Sequence, residues 1–224
     1  AMKIVGICAS PRGRKSRTLA IVNAVLEGAG SVGADVEIID IAAKDIGFCD
    51  ACDVCHRTGR CWKKDDFNSV YEVMKGADGV VLGSPVYIDN VSGQMKAFMD
   101  RMADAIHYQV FAGKYGCSVC STWESGGDEV SGILDHFLHY LGAQTIDGLA
   151  VSLGDREEVP GSLLHEAGKR GEALVDAIKT RQHFPDQERW ITENRDFFET
   201  IVSSHKKERS DEYALWVQRG WIRE

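Results

Sequence analysis

The 224 residues include 26 basic and 34 acidic side chains, giving a formal net charge of −8, and 44% of them are hydrophobic. That balance suits a sizeable α/β domain plus an extension, and it argues against nucleic acid as a general partner. No apolar run is long enough to suggest a membrane role, and the strand pattern directly after Ala1-Met2 reads as a cytoplasmic chain without a leader, Ala1 being an expression remnant.

Met2 to Cys8 is a short apolar run, which predicts a buried parallel strand. Leu19, Val22, Val25, Leu26 and Ala29 then recur at helical spacing, and the stretch from Gly28 to Gly33 closes that helix. Asp35 to Ile41 is a second strand. Residues 42–65 show no clear period and hold four cysteines; a connection this long in a compact domain is functional or disordered. A short helix over about 66–76 leads to a third strand, Gly79 to Gly83. A helix over about 91–107 precedes a fourth strand, Tyr115 to Ser121. A helix over 128–141, capped by Gly142, precedes a fifth, Thr145 to Val151. Alternating strands and helices predict a doubly wound three-layer α/β sandwich, its five-stranded parallel sheet in the flavodoxin-like order 2-1-3-4-5. Ligands of such sheets bind outside the carboxyl ends of the strands.

After the first strand, Ser10-Pro11-Arg12-Gly13-Arg14-Lys15-Ser16-Arg17-Thr18 sets four cations and three hydroxyls at the start of a helix. Free N–H groups, hydroxyl donors and guanidinium groups together predict a site for a terminal phosphate, with Ser10, Arg12, Ser16, Arg17 and Thr18 as its members. The plainer alternative is an N-cap at Ser16 beside a solvated basic face. After the third strand, Pro85, Val86, Tyr87 and Ile88 place apolar surface at the sheet edge, and Asn90 and Gly93 follow; a flat ring such as a flavin would cover that surface. After the fourth strand, Thr122, Trp123, Ser125, Gly126 and Gly127 predict the ring's other wall, the paired glycines permitting close approach. Each of these loops also reads as an ordinary turn; together they point to one ligand.

Ser10-Pro11-Arg12 with Ser16 and Thr18, Gly83–Arg101 (GSPVYIDNVSGQMKAFMDR) and Ser121 to Gly127 make the chain resemble the NADPH-dependent FMN reductase group of the flavodoxin-like superfamily. The resemblance implies FMN, with its phosphate on the first loop and its ring between the other two.

The connection over 42–65 carries Cys49-x₂-Cys52-x₂-Cys55-x₅-Cys61. Four thiols within thirteen residues, in a chain read as cytosolic, favour metal ligation over disulfides. A C-x₂-C-x₂-C run suits a [4Fe–4S] cluster better than zinc, which more often takes two separated C-x₂-C pairs. Arg57, Arg60, Lys63 and Lys64 stand near to offset the charge of a thiolate-ligated cluster, and His56 is a bystander. With this motif the chain is similar to the iron–sulfur flavoproteins of anaerobic microbes. That resemblance implies a homodimer or dimer of dimers in which the cluster of one subunit lies near the FMN of its neighbour. It also implies electron transfer, with oxygen or peroxide as acceptors.

A donor such as ferredoxin or NAD(P)H is expected, and three roles stay open: an electron-transferring flavoenzyme, an NAD(P)H-dependent flavin or quinone reductase whose cysteine loop holds zinc or nothing, and a non-enzymatic carrier. No residue stands out as catalytic. Cys8, Cys117 and Cys120 read as packing, and Arg101 as a structural ion-pair member. Residues 1–182 form the expected FMN domain and 183–224 a helical extension with three of the five tryptophans. Its stripes Trp190, Phe197, Phe198, Ile201 and Tyr213, Trp216, Val217 predict two short helices that pack on a partner subunit or over the cofactor mouth.

Overall fold

The computed structural model describes residues 2–222; Ala1, the expected remnant, and the last two positions of the extension lie outside the described residues. Five parallel strand positions form the sheet: β1 (Lys3–Cys8), β2 (Asp35–Asp40), β3 (Gly79–Pro85), β4 (Tyr115–Thr122), and a fifth split into β5 (Gln144–Thr145) and β6 (Leu149–Ser152). Their order is β2-β1-β3-β4-β5, with β6 also pairing β4, which is the order expected. The fifth strand breaks because it holds one extra residue. Gly116 faces Thr145, but Val119 faces Leu149, so Ile146 to Gly148 bulge between the two pieces.

Strand side chains alternate, and the helices cover both faces. Val5, Ile7, Val80, Leu82 and Cys120 point into one core beneath α3 (Phe67–Lys75), α4 (Gly93–Asp100), α5 (Ala103–Tyr108) and α6 (Gly127–Tyr140). Ile4, Cys8, Val81, Cys117 and Val119 point into the other, beneath α1 (Arg17–Ser31) and α7 (Gly161–Thr180). Cys117 and Cys120 thus lie on opposite faces and are buried packing residues, as is Cys8. α1 and α7 touch along small residues: a Cβ at Gly28 would lie 1.9 Å from the carbonyl oxygen of Gly168.

Three local features differ from the sequence pattern. The helix expected over 91–107 is two helices, because Arg101 N–H and Met102 N–H bond three residues back, to Phe98 and Met99, which turns the chain between α4 and α5. The 42–65 connection holds a five-residue helix, α2 (Val54–Thr58), too short for a period to reveal. The extension forms α8 (Pro185–Ser204), longer than expected, and α9 (Ser210–Gln218). Both pack on this chain, α8 chiefly against α6 and α9 against α2 and α5. Trp190 meets the rings of His136 and Tyr140, and Trp216 is fully buried. α9 therefore packs behind the helix that carries Cys55, while Cys49 and Cys52 stay exposed. No helix among the described residues is long and apolar enough to cross a membrane.

Candidate functional site

At the carboxyl end of the sheet a cavity of about 240 Å³ is lined by Ser10, Arg12, Ser16, Arg17, Thr18, Pro85, Val86, Tyr87, Ser121, Thr122 and Trp123. It brings together all five expected phosphate-loop residues and members of both expected ring walls. Gly13–Lys15 form a 3₁₀ turn, and Ser16 then caps α1, its hydroxyl accepting from Leu19 N–H at 3.1 Å. The N-cap alternative is thus real, and Ser16 lines the cavity as well. Thr18 and Ser121 share a buried hydroxyl–hydroxyl bond of 2.7 Å, which joins the first loop to the end of β4. Ser121 lies in the Ser121–Gly127 segment that carries the resemblance but, as a strand end, does not stand out in the sequence as a ring-wall residue.

Arg17 has a second task that the sequence did not signal. Its guanidinium donates to the carbonyls of Gly154 (3.1 Å) and Arg156, which ties the segment after β6 to the start of α1. Beneath the loop, burial pushes the Cys8 thiol up to about 12, with the nearby Asp40 carboxylate adding to the rise. Cys8 therefore stays a neutral packing residue rather than a reactive thiol.

The two expected ring walls touch each other. Val86 N–H donates to Ser121 O at 2.8 Å, and Tyr87 and Asn90 exchange backbone bonds of 2.9 and 3.2 Å. Ile88 and Asp89, both at φ +53°, sit at the centre of that turn. A β-branched residue in the left-handed region is strained, and here it leaves Ile88 completely exposed. Ile88, Asn90 and Gly93 consequently stand outside the cavity lining: the turn reverses after Tyr87, the Asn90 oxygen accepts from Val91 N–H at 2.9 Å, and Gly93 opens α4. Ser125, Gly126 and Gly127 line an adjoining depression that shares Thr122 with the cavity.

Apart from this cavity, Cys49, Cys52, Cys55 and Cys61 line one pocket of about 160 Å³, together with His56, Arg101 and neighbouring residues. Ala51 (φ +51°) and Asp53 (φ +58°) take left-handed conformations between the first three cysteines, bending the chain back on itself. Ala51 N–H donates to Cys49 Sγ at 3.4 Å, and an Arg101 N–H donates to Cys61 Sγ at 3.1 Å. Burial pushes the Cys55 thiol up to about 11, so a bound metal must displace its proton. No group of three His, Cys, Asp or Glu side chains among the described residues closes tightly enough to hold a single ion. The donor set, four soft thiols around one pocket with two N–H groups aimed at sulfur, fits an iron–sulfur group.

His56 is buried beside the cysteines, and burial, with the nearby His107 and Arg209, lowers it to about 4. Arg101 is the residue that sequence reasoning undervalued. It reaches the pocket only because the chain turns between α4 and α5.

The model of the family described as NADPH-dependent FMN reductase matches residues 2–158. An iron-sulfur flavoprotein of Archaeoglobus fulgidus is 30% identical over 99% of this chain and 100% of its own length. The chain belongs to the iron-sulfur flavoproteins of the NADPH-dependent FMN reductase family. It is an FMN-dependent oxidoreductase of that family. An iron-sulfur flavoprotein of Methanosarcina thermophila is 29% identical over 87% of this chain and all of its own length. A flavodoxin, WrbA-like protein of Agrobacterium tumefaciens superposes with a TM-score of 0.57 at 18% identity, over 81% of this chain and 100% of its own, which shows the shared flavodoxin-like fold.

Proposed function

We propose that the chain carries electrons between a [4Fe–4S] cluster on Cys49, Cys52, Cys55 and Cys61 and FMN in the loop cavity, coupling a one-electron donor such as ferredoxin to the reduction of a small acceptor. The single observation that carries this reading is that all four cysteines line one pocket, in a chain whose sheet edge gathers the phosphate loop and both ring walls. When bound, FMN exchanges electrons singly or in pairs and the cluster exchanges them singly.

The chain's own residues set the terms. Ser10, Arg12, Ser16 and Thr18 would hold the phosphate on free N–H groups, hydroxyls and one guanidinium at the start of α1, while Arg17 keeps the 153–156 segment in place. Tyr87 and Trp123, both partly exposed, would flank the ring and shield it from water. Residues 1–182 act as the FMN domain and 183–224 as its extension. The protein works in the cytoplasm, as a homodimer or dimer of dimers, with oxygen, peroxide or a quinone as acceptor.

A second reading is favoured by the family model's description: NAD(P)H as the direct donor to the flavin, with no cluster. An anaerobic visible spectrum with iron, sulfide and zinc counted on the same sample separates the two. Flavin bands with a broad brown shoulder and about four iron and four sulfide per chain support the first reading. Flavin bands with zinc or no metal, and steady turnover of NAD(P)H with a quinone, support the second.

A further inference from the structure

Arg101 is 2% exposed, and its burial needs an explanation. Part of it is ordinary. Nη1 donates to Asp65 Oδ2 at 2.6 Å and to Gly47 O at 2.8 Å, Nη2 donates to Asp65 Oδ1 at 3.0 Å, and the guanidinium carbon lies 4.6 Å from the centre of the Phe67 ring. The guanidinium also holds the Asp65 carboxyl down to about 2. A purely structural ion pair would be complete at this point.

Two observations remain. Nη2 also donates to Cys61 Sγ at 3.1 Å, and Nε is buried with no partner although Arg101 lines the cysteine pocket. A buried guanidinium N–H left without a partner is costly, and an acceptor inside the pocket would satisfy it.

We propose that Arg101 is a positioning and tuning residue for the group held by the four cysteines: it fixes Cys61 Sγ and raises the reduction potential of that group. This rests on reading the cysteine pocket as the cluster site. Taking up one electron from a low-potential donor makes the pocket one unit more negative, with no bond to a cysteine made or broken. A fixed positive charge and an N–H aimed at a ligand sulfur stabilise the more negative state, so reduction becomes easier. Asp65 works against this by compensating the charge, and the pair thereby sets the potential from both sides.

The test uses anaerobically purified full-length protein, with iron and sulfide counted and the cluster titrated with dithionite in the visible spectrum. Arg101→Gln is expected to keep its iron and to move the midpoint potential to a more negative value. Arg101→Lys, which keeps the charge but loses the fork, is expected to fall between Gln and wild type. Asp65→Asn, which leaves Arg101 uncompensated, is expected to move the potential the opposite way. If Arg101→Gln does not fold because Asp65 is left largely shielded and unpaired, the Arg101→Gln/Asp65→Asn double variant removes the pair together, and a potential below wild type still supports the role. Wild-type potentials in iron-loaded variants overturn the proposal and leave the cluster reading intact. Wild-type protein without iron or sulfide overturns both.

Discussion

Glu212 Oε1 lies 3.1 Å from His107 Nδ1, and the Glu212 side chain has no exposed surface. Arg209 Nη1 stands 3.8 Å from the other carboxylate oxygen, and the His107 ring packs 4.5 Å from that of His56, the residue after Cys55. The first turn of α9 thus plants a carboxylate behind the helix that carries Cys55. Trp216 reinforces the contact, its indole N–H donating to His107 O at 2.7 Å.

This arrangement makes the extension a brace for the cysteine loop. Glu212→Ala removes the brace at its buried end, where the carboxylate lies against His107 of α5 and Arg209. In metal-free protein the half-buried Cys55 thiol of the variant should react faster with a chromogenic disulfide, while Glu212→Gln, which keeps the shape, stays closer to wild type. Equal rates in all three proteins would leave Trp216 as the effective anchor.

The contact between α1 and α7 gives a sharper stability prediction. A methyl group at Gly28 would meet the Gly168 carbonyl oxygen at 1.9 Å, and backbone cannot move aside as a side chain can. Gly28→Ala should therefore cost about 1–3 kcal/mol or more by forcing the helices apart. Gly30 lies on the same helix, and a methyl group there would come no nearer than 3.8 Å to its closest neighbour, the Val36 side chain. Gly30→Ala should be neutral or stabilising by up to about 1 kcal/mol, through helix propensity alone. Urea midpoints of the two variants check the contrast.

The two arginines of the proposed phosphate loop that line the cavity should separate in the same way. Arg12 lines the cavity at its edge, whereas Arg17 is bound to the carbonyls of Gly154 and Arg156. Arg12→Ala should weaken FMN binding roughly 10-fold, the loss of one charge-assisted contact, with little change in melting temperature. Arg17→Ala should lower both, because the 153–156 segment loses its tie. Flavin fluorescence titration and thermal melts of the flavin-free proteins measure the two effects.

The sequence carried what is local. Strand and helix periods revealed the sheet order, because each buried strand reads as a short apolar run and each covering helix as a stripe. The phosphate loop and the cysteine spacing were legible because their residues are close in the chain. Arg101 was not, since its partners Asp65 and Cys61 lie 36 and 40 residues away and no period marks the turn between α4 and α5. Thr18 with Ser121, and Trp216 with His107, are pairs of the same kind, separated by more than 100 residues. The aromatic stripes of the extension announced burial, but not which surface they would cover.

Asp135, on the α6 face toward the bulge in the fifth strand, carries a pH prediction. Its carboxylate approaches the site of Gly148, where a Cβ would lie 3.3 Å from Oδ2, and its Oδ1 is buried without a partner. Burial pushes this carboxyl up to about 7 from an ordinary value of 3.8. Between those values the folded protein keeps a proton that the unfolded chain has lost, so this group's contribution to stability falls as pH rises and is gone above about 7. Asp104, raised to about 6 by burial, acts in the same direction over a narrower window. His56, lowered to about 4, acts oppositely, because there the unfolded chain binds the extra proton up to the usual histidine range. The two offset each other below about pH 6, which leaves Asp135 as the dominant one of these groups near neutrality. Asp135→Asn should therefore be more stable than wild type at about pH 8 and lose that advantage toward about pH 5, a crossing that melting curves across this range would reveal.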